Sequence, residues 1–232
     1  MSRILVINKK ERFDVEENFK IFAEVSENNP TPDGNWQGDG WGISYIDPLL
    51  KWRGFKTFVS IWKNIGFAHI FMPSNIFMLH VRTLIVEEEY VSEENNLPYF
   101  NDELSLVYDG DQLESKIDKS VKPLIDRIWE QIQIVDKSNL ESEFKTICEQ
   151  INLEAEGYKA FNLVLSDKQN MYVYCKYNPE AESYYQIHYF TNELKTIISS
   201  QPLEIEDMQL DQWQKLQNGE YKTFKMFENL TS

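Results

Sequence analysis

Apolar and polar positions along the chain change period several times, and each change marks an element. The run "RILVIN" (3–8) is apolar enough for a buried strand. In "FDVEENFKIFAEVSE" (13–27), Phe19, Phe22 and Val25 recur at helical spacing, with Asp14 the expected N-cap. Glycines and prolines in "NNPTPDGNWQGDG" (28–40) break any period and predict a loop, after which "WGISYID" (41–47) reads as a strand. "NIFMLHVRTLI" (75–85) alternates: Phe77, Leu79 and Val81 share one face, His80 and Arg82 the other. The acidic stretch "VEEEYVSEENNLPYF" (86–100) predicts an exposed loop, and "ELSLVYDG" (103–110) a strand ending in a glycine turn. Helical patterns follow at 119–134 and 139–152, with "DKSN" between them as stop and cap. The last third is strand-rich: "AFNLVLSD", "NMYVYCKYN", "YYQIHYFT", "TIISS" and "YKTFKM", with hairpin spacing near Asp167–Asn170. Strands, then helices, then strands predict an α+β protein with mostly antiparallel sheets rather than a doubly wound parallel sheet. With no internal repeat or low-complexity linker, one domain over 1–232 is the simplest division.

Composition narrows the partners more than the fold. The chain of 232 residues is 42% hydrophobic and 14% aromatic, ample for a packed core. A net charge of -15 argues against a surface that tracks phosphates, which sets aside nucleic acid and anionic membrane as partners. Cys148 and Cys175 lack metal-ligand spacing and read as buried reduced thiols; with only three scattered histidines, no metal or other cofactor is expected. No apolar run reaches membrane-spanning length and no secretory signal pattern opens the chain, so the expected location is the cytoplasm.

Four places could carry chemistry. Ser2, beside a strand, is on its own an ordinary second residue. "GDGWGISY" (38–45) is too short for a dinucleotide fingerprint and has no helix after it, which leaves tight backbone packing. Arg82, on the face opposite the core residues, fits either a structural salt bridge or a clamp for a carboxylate. "VYDGDQL" (107–113) fits a simple Asp-Gly turn.

The order of these segments is more specific than any one of them. "MSR" (1–3), "DGWG" (39–42), "HVR" (80–82), "NNLPY" (95–99) and "YDG" (108–110), with "ISSQPL" (198–203) and Trp213 downstream, resemble the class II glutamine amidotransferases, which are N-terminal nucleophile hydrolases. The likeness runs over nearly the whole chain, in the manner of small stand-alone members. It implies a four-layer αββα sandwich with residue 2 at the mouth of a pocket. Once Met1 is removed, the residue-2 side chain attacks the side-chain amide of glutamine or another γ-glutamyl compound, with its free α-amine as general base. The same resemblance makes Arg82 and Thr83 substrate-binding residues, Arg82 gripping the α-carboxylate, and makes 109–110 the oxyanion hole. Its small-molecule partner would be a γ-glutamyl ligand such as glutamine; a protein partner is not indicated.

Departures from the family pattern fall on the catalytic positions. Ser2 stands where the family has Cys, and a hydroxyl needs full proton abstraction during attack. Asp109 stands where Asn donates to the oxyanion, and an ionised carboxylate has no proton to donate. Glu141, in "LESE" (140–143), is the best match to the Asp that grips the substrate amine, and Leu97 replaces a His. Arg82 and Gly110 match cleanly. The expectation is therefore an impaired γ-glutamyl amidohydrolase, or a catalytically silent γ-glutamyl-binding protein on the same scaffold, the two separated by whether Asp109 keeps its proton.

Overall fold

In the computed structural model, residues 2–31, 34, 36–83, 96–110, 114–115, 124–156, 158–205 and 208–227 are described. The sequence expectations for 84–95, for Asp111 to Leu113 and for 119–123 lie outside them. In chain order the elements are β1 (Ser2–Phe13), α1 (Glu16–Asn28), β2 (Trp41–Ile46), β3 (Trp52–Thr57), β4 (Ser74–Arg82), β5 (Tyr99–Phe100), β6 (Ser105–Gly110) and β7 (Glu114–Ser115). Then come α2 (Leu124–Ile134), α3 (Leu140–Glu154), β8 (Ala155–Glu156), β9 (Phe161–Ser166), β10 (Asn170–Cys175), α4 (Glu182–Tyr185), β11 (His188–Thr191), β12 (Lys195–Ser199), β13 (Gln214–Lys215) and β14 (Glu220–Lys225).

The strands form two main antiparallel sheets. One runs β13-β11-β12-β1-β4-β2-β3 and the other β14-β10-β9-β6-β5, while β7 and β8 pair separately. Alternation within each strand then divides the apolar residues among three cores. Ile4, Val6, Ile76 and Met78 of the first sheet meet Val107, Val164, Met171 and Val173 of the second. The opposite face of the first sheet, with Leu5, Ile7, Leu79 and Val81, is covered by Phe19, Phe22 and Ala23 of α1. The opposite face of the second, with Leu106, Leu163 and Leu165, is covered by Ile128 and Ile132 of α2 and Phe144 and Ile147 of α3. The layers are therefore α, β, β, α, as the resemblance implied. Each fully buried side chain of this size contributes about 1.5–3 kcal/mol of transfer free energy.

Some local expectations are corrected. Asp14 is not the N-cap: α1 starts at Glu16, Val15 holds the cap position, and no side chain bonds there. Glu16 and Glu17 instead place negative charge on the first turn, where the helix dipole favours it. The described end of the acidic stretch is not exposed: Asn96, Leu97, Pro98 and Tyr99 are buried, and Tyr99–Phe100 adds an edge strand to the second sheet. Residues 184–185 belong to α4, so the strand expected over 184–191 starts only at His188. Cys148 and Cys175 are free and buried, as read.

Candidate active site

Register places the first functional side chains. Ser2 lies directly opposite Arg82 across the β1–β4 ladder, and Ile4 opposite His80. Directly opposed residues share a face with Cβ atoms about 5 Å apart. Because Ile4 and Met78 point into the core between the sheets, Ser2, His80 and Arg82 point to the same side, at the end of the strands. β6 of the facing sheet ends there with Asp109 and Gly110.

Ser2 Oγ is held from that facing strand. It accepts a hydrogen bond from the Gly110 N–H at 3.1 Å and points its own proton toward Asp109 Oδ1 at 3.3 Å and the Tyr108 carbonyl at 3.4 Å. A side chain at Gly110 would put its Cβ 2.3 Å from the Ala160 carbonyl, so the close approach needs glycine. Asp109 has no solvent exposure, and its Oδ2 accepts from Ser200 Oγ at 2.6 Å. Burial pushes its carboxyl up to about 6, against the lowering pull of the Ser200 hydroxyl and the Arg3 charge. Ser200 in turn accepts the Ile4 N–H at 2.9 Å.

Arg82 is fixed through its backbone. Its N–H donates to the Gly40 carbonyl at 3.1 Å, and its carbonyl accepts the Asp39 N–H at 3.1 Å. Gly40 sits at φ +146°, and a Cβ there would lie 2.8 Å from the Thr57 carbonyl. The turn is tied down by Asn96, whose Nδ2 donates to the Trp41 and Thr57 carbonyls at 3.1 and 3.0 Å. Gly42 lets this segment lie flat, since a Cβ there would meet the Leu97 carbonyl at 2.1 Å. The Arg82 Nε and Nη2 atoms are buried with no hydrogen-bond partner among the described residues, and the Phe58 ring lies 5.4 Å from the guanidinium carbon. Burial lowers the Arg82 pKa, with Tyr99 and Asp39 acting the other way; an arginine so placed stays a cation. His80 is buried beside it, and burial together with the Arg82 charge holds its pKa well below 6.5, so the imidazole is neutral.

Thr83 is adjacent but already engaged: its Oγ1 donates to the Trp36 carbonyl at 2.7 Å and so fastens the 36–40 turn to β4. Glu141 does not join the cluster. Its Oε1 accepts from Thr223 of β14 at 2.7 Å, on α3. Thr223 pairs with Tyr172, whose ring packs under α3, so Glu141 lies across the second sheet from Asp109. A carboxylate one methylene longer than the expected anchor is therefore a surface helix residue here, away from Ser2 and Arg82 rather than beside them.

Two parts of the site escaped the sequence reading. Ser200 was visible only within "ISSQPL", with nothing to say that its hydroxyl meets Asp109. A brace of Gln37, Tyr184 and Arg3 stands beside it: Gln37 Nε2 donates to Tyr184 Oη at 2.7 Å, and the Arg3 guanidinium carbon sits 4.0 Å from the centre of the Tyr184 ring. Arg3 Nη1 also donates to the Ser200 carbonyl at 3.4 Å. Among the described residues, no three His, Cys, Asp or Glu side chains come together as a metal site, and no helix is long and apolar enough to cross a membrane.

Two antiparallel sheets face to face with helices outside both, and Ser2 at the head of the middle strand of one of them, form the fold of the N-terminal nucleophile hydrolases. Solved structures similar to this chain in fold include glutamine amidotransferase proteins. A glutamine aminotransferase class-II domain protein from Silicibacter pomeroyi matches with a TM-score of 0.61 at 10% identity, covering 96% of this chain and 94% of that one. A predicted glutamine amidotransferase from Pseudomonas aeruginosa matches with a TM-score of 0.56 at 13% identity, covering 99% and 100%. The glutamine phosphoribosylpyrophosphate amidotransferase of B. subtilis, solved with ADP and GMP, matches with a TM-score of 0.60 at 13% identity, covering 98% of this chain and 49% of that one. No protein-family model matches the sequence, and no curated protein matches it. At these identities the likeness establishes the fold.

Proposed function

We propose that this chain binds a γ-glutamyl compound such as glutamine and hydrolyses its side-chain amide slowly through Ser2. The observation that carries the reading is the half-buried Arg82 guanidinium opposite Ser2, whose Nε and Nη2 are buried with no partner among the described residues. A desolvated cation with free donors is matched by a carboxylate, which can accept a bidentate pair. An amino acid held by that carboxylate presents its side chain along the same face, toward Ser2 Oγ. The Gly110 N–H, now on Ser2 Oγ, is the backbone donor available to a developing oxyanion.

With the α-amine as base and residue 109 as an oxyanion donor, the roles the resemblance implies, slowness follows from the second donor position. If Asp109 must be protonated to donate, and the Ser2 α-amine must be neutral to act as base, both conditions hold in about one molecule in a hundred near neutrality. The Asp109 carboxyl, raised by burial to about 6, sets the first of these fractions. The same carboxylate supports the second reading, a silent protein that binds the ligand without turning it over.

One experiment addresses both. Mass analysis of the N-terminus is combined with ammonia release from glutamine and calorimetry of glutamine, with Arg82→Ala as control. Heat that disappears in Arg82→Ala supports the site, and ammonia release that disappears in Ser2→Ala supports the enzyme. Heat without release supports the binding protein; absence of heat with either protein rejects both readings.

A further inference from the structure

We propose that Asp109 is the general base for Ser2, taking over the proton that the family reading assigns to the α-amine. The inference rests on the reading of Ser2 as nucleophile, and turns the apparent defect at 109 into the working group.

Hydrogen-bond direction carries the argument. The Ser200 hydroxyl donates its proton to Asp109 Oδ2 while its oxygen accepts the Ile4 N–H. Oδ2 is thereby committed as an acceptor. Oδ1 is the oxygen left to gain or lose a proton, and it is the one that faces Ser2 Oγ at 3.3 Å. That contact is long for an O–H···O⁻ bond, as such bonds often are before substrate tightens them. The Gly110 N–H meanwhile approaches Ser2 Oγ at 3.1 Å and becomes available to the substrate oxygen once Oγ has attacked. A carboxylate raised toward neutrality by burial accepts a proton more readily than one in water.

The steps balance within the site. Ser2 Oγ bonds to the amide carbon, its proton passes to Asp109 Oδ1, and the carbonyl pair moves to the oxygen beside Gly110. The C–N bond then breaks as Asp109 returns the proton to nitrogen, releasing ammonia and leaving a Ser2 ester. Water attacks that ester, giving a proton to Asp109, and the C–Oγ bond breaks as Asp109 reprotonates Oγ. The products are the free γ-carboxylic acid and the original enzyme. No step uses the α-amine.

The groups that act on Asp109 come from each element around it. Arg3 of β1 and the amino terminus lower its pKa. His80 of β4 is neutral and hydrogen-bonds the Tyr108 backbone, and Cys175 of β10 is a thiol pushed up to about 12. Burial thus keeps the His80 imidazole and the Cys175 thiol neutral where Asp109 titrates.

The test is sulfonylation of Ser2 by phenylmethylsulfonyl fluoride, a probe that needs no γ-glutamyl recognition, followed by intact mass from about pH 5 to about pH 8. Wild-type labelling should rise with pH through the ionisation of Asp109. Asp109→Asn should label at least ~100-fold more slowly. Ser200→Ala, which removes a group that lowers the Asp109 pKa, should move the labelling midpoint to higher pH. Labelling of Asp109→Asn at or above the wild-type rate, a midpoint unmoved in Ser200→Ala, or no Ser2 labelling at all overturns the proposal. Glutamine calorimetry on Ser2→Ala keeps the two readings apart. Heat without labelling sinks the base and leaves the ligand site standing; labelling without heat sinks the ligand site and leaves the base.

Discussion

Ser2 and Arg82 face each other across the β1–β4 ladder, so one strand pair sets both the candidate nucleophile and the candidate carboxylate clamp. The Arg82 guanidinium carries a cost to the fold. Two of its nitrogens are buried without partners among the described residues. A half-buried cation with two desolvated, unpaired nitrogens destabilises the fold unless a ligand arrives. Arg82→Met should therefore abolish glutamine binding while raising the melting temperature of the free protein, read by calorimetry and thermal unfolding. A melting temperature that falls in this variant would show that Arg82 is a structural cation.

Asp109 makes stability depend on pH. Its folded pKa of about 6 lies above the usual carboxylate value, so the folded state binds a proton that the unfolded state has lost. Its contribution is fully present below about pH 4 and is lost as pH rises through about 6, a change of about 3 kcal/mol. Asp109→Asn has no such titration. The stability of wild type relative to Asp109→Asn should fall by that order between acid and neutral pH, measured by denaturant unfolding at each pH. A difference that stays flat with pH would reject the raised pKa.

Gly42 and Asn96 both join the turn beside Arg82 to the 96–97 segment. Gly42→Ala drives a Cβ into the Leu97 carbonyl at 2.1 Å, which the backbone must move to relieve. A loss of about 1–3 kcal/mol is expected. Asn96→Ala removes the donor to the Trp41 and Thr57 carbonyls and should cost a similar amount. Both should weaken glutamine binding in calorimetry without touching the ligand, since Arg82 is tied to Gly40 through its N–H. Binding as tight as wild type in both variants would uncouple the turn from the clamp.

Glu141→Ala gives the opposite expectation. Its exposed bond to Thr223 lies across the second sheet from Ser2, so glutamine binding should be unchanged and stability should fall by less than about 1 kcal/mol. Loss of binding in this variant would restore it as an amine anchor.

Much of the scaffold was legible in local pattern. The alternation in 75–85 put Phe77, Leu79 and Val81 against α1 and turned His80 and Arg82 to the other side, because a strand has only two faces. The unbroken apolar run after Ser2 is the middle strand of its sheet, buried on both faces. The helix cap was misread because Asp14 is a good capping residue in sequence but stands one position too early. Glu141 was misread because motif likeness in one dimension says nothing about which side of a sheet a helix covers.

What only the tertiary structure decided is how the ends of the strands meet. Ser2 and Asp109 are 107 positions apart, and Asp109 and Ser200 are 91 apart, so no local periodicity couples them. Burial then changes their chemistry: a carboxylate that the sequence presents as an ordinary acid becomes, out of water and between two hydroxyls, a group poised near neutrality. The sequence by itself determined the faces of the strands, through the alternation of side chains. Register across the sheets and the desolvation it produces determined which of those side chains touch and where their protons lie.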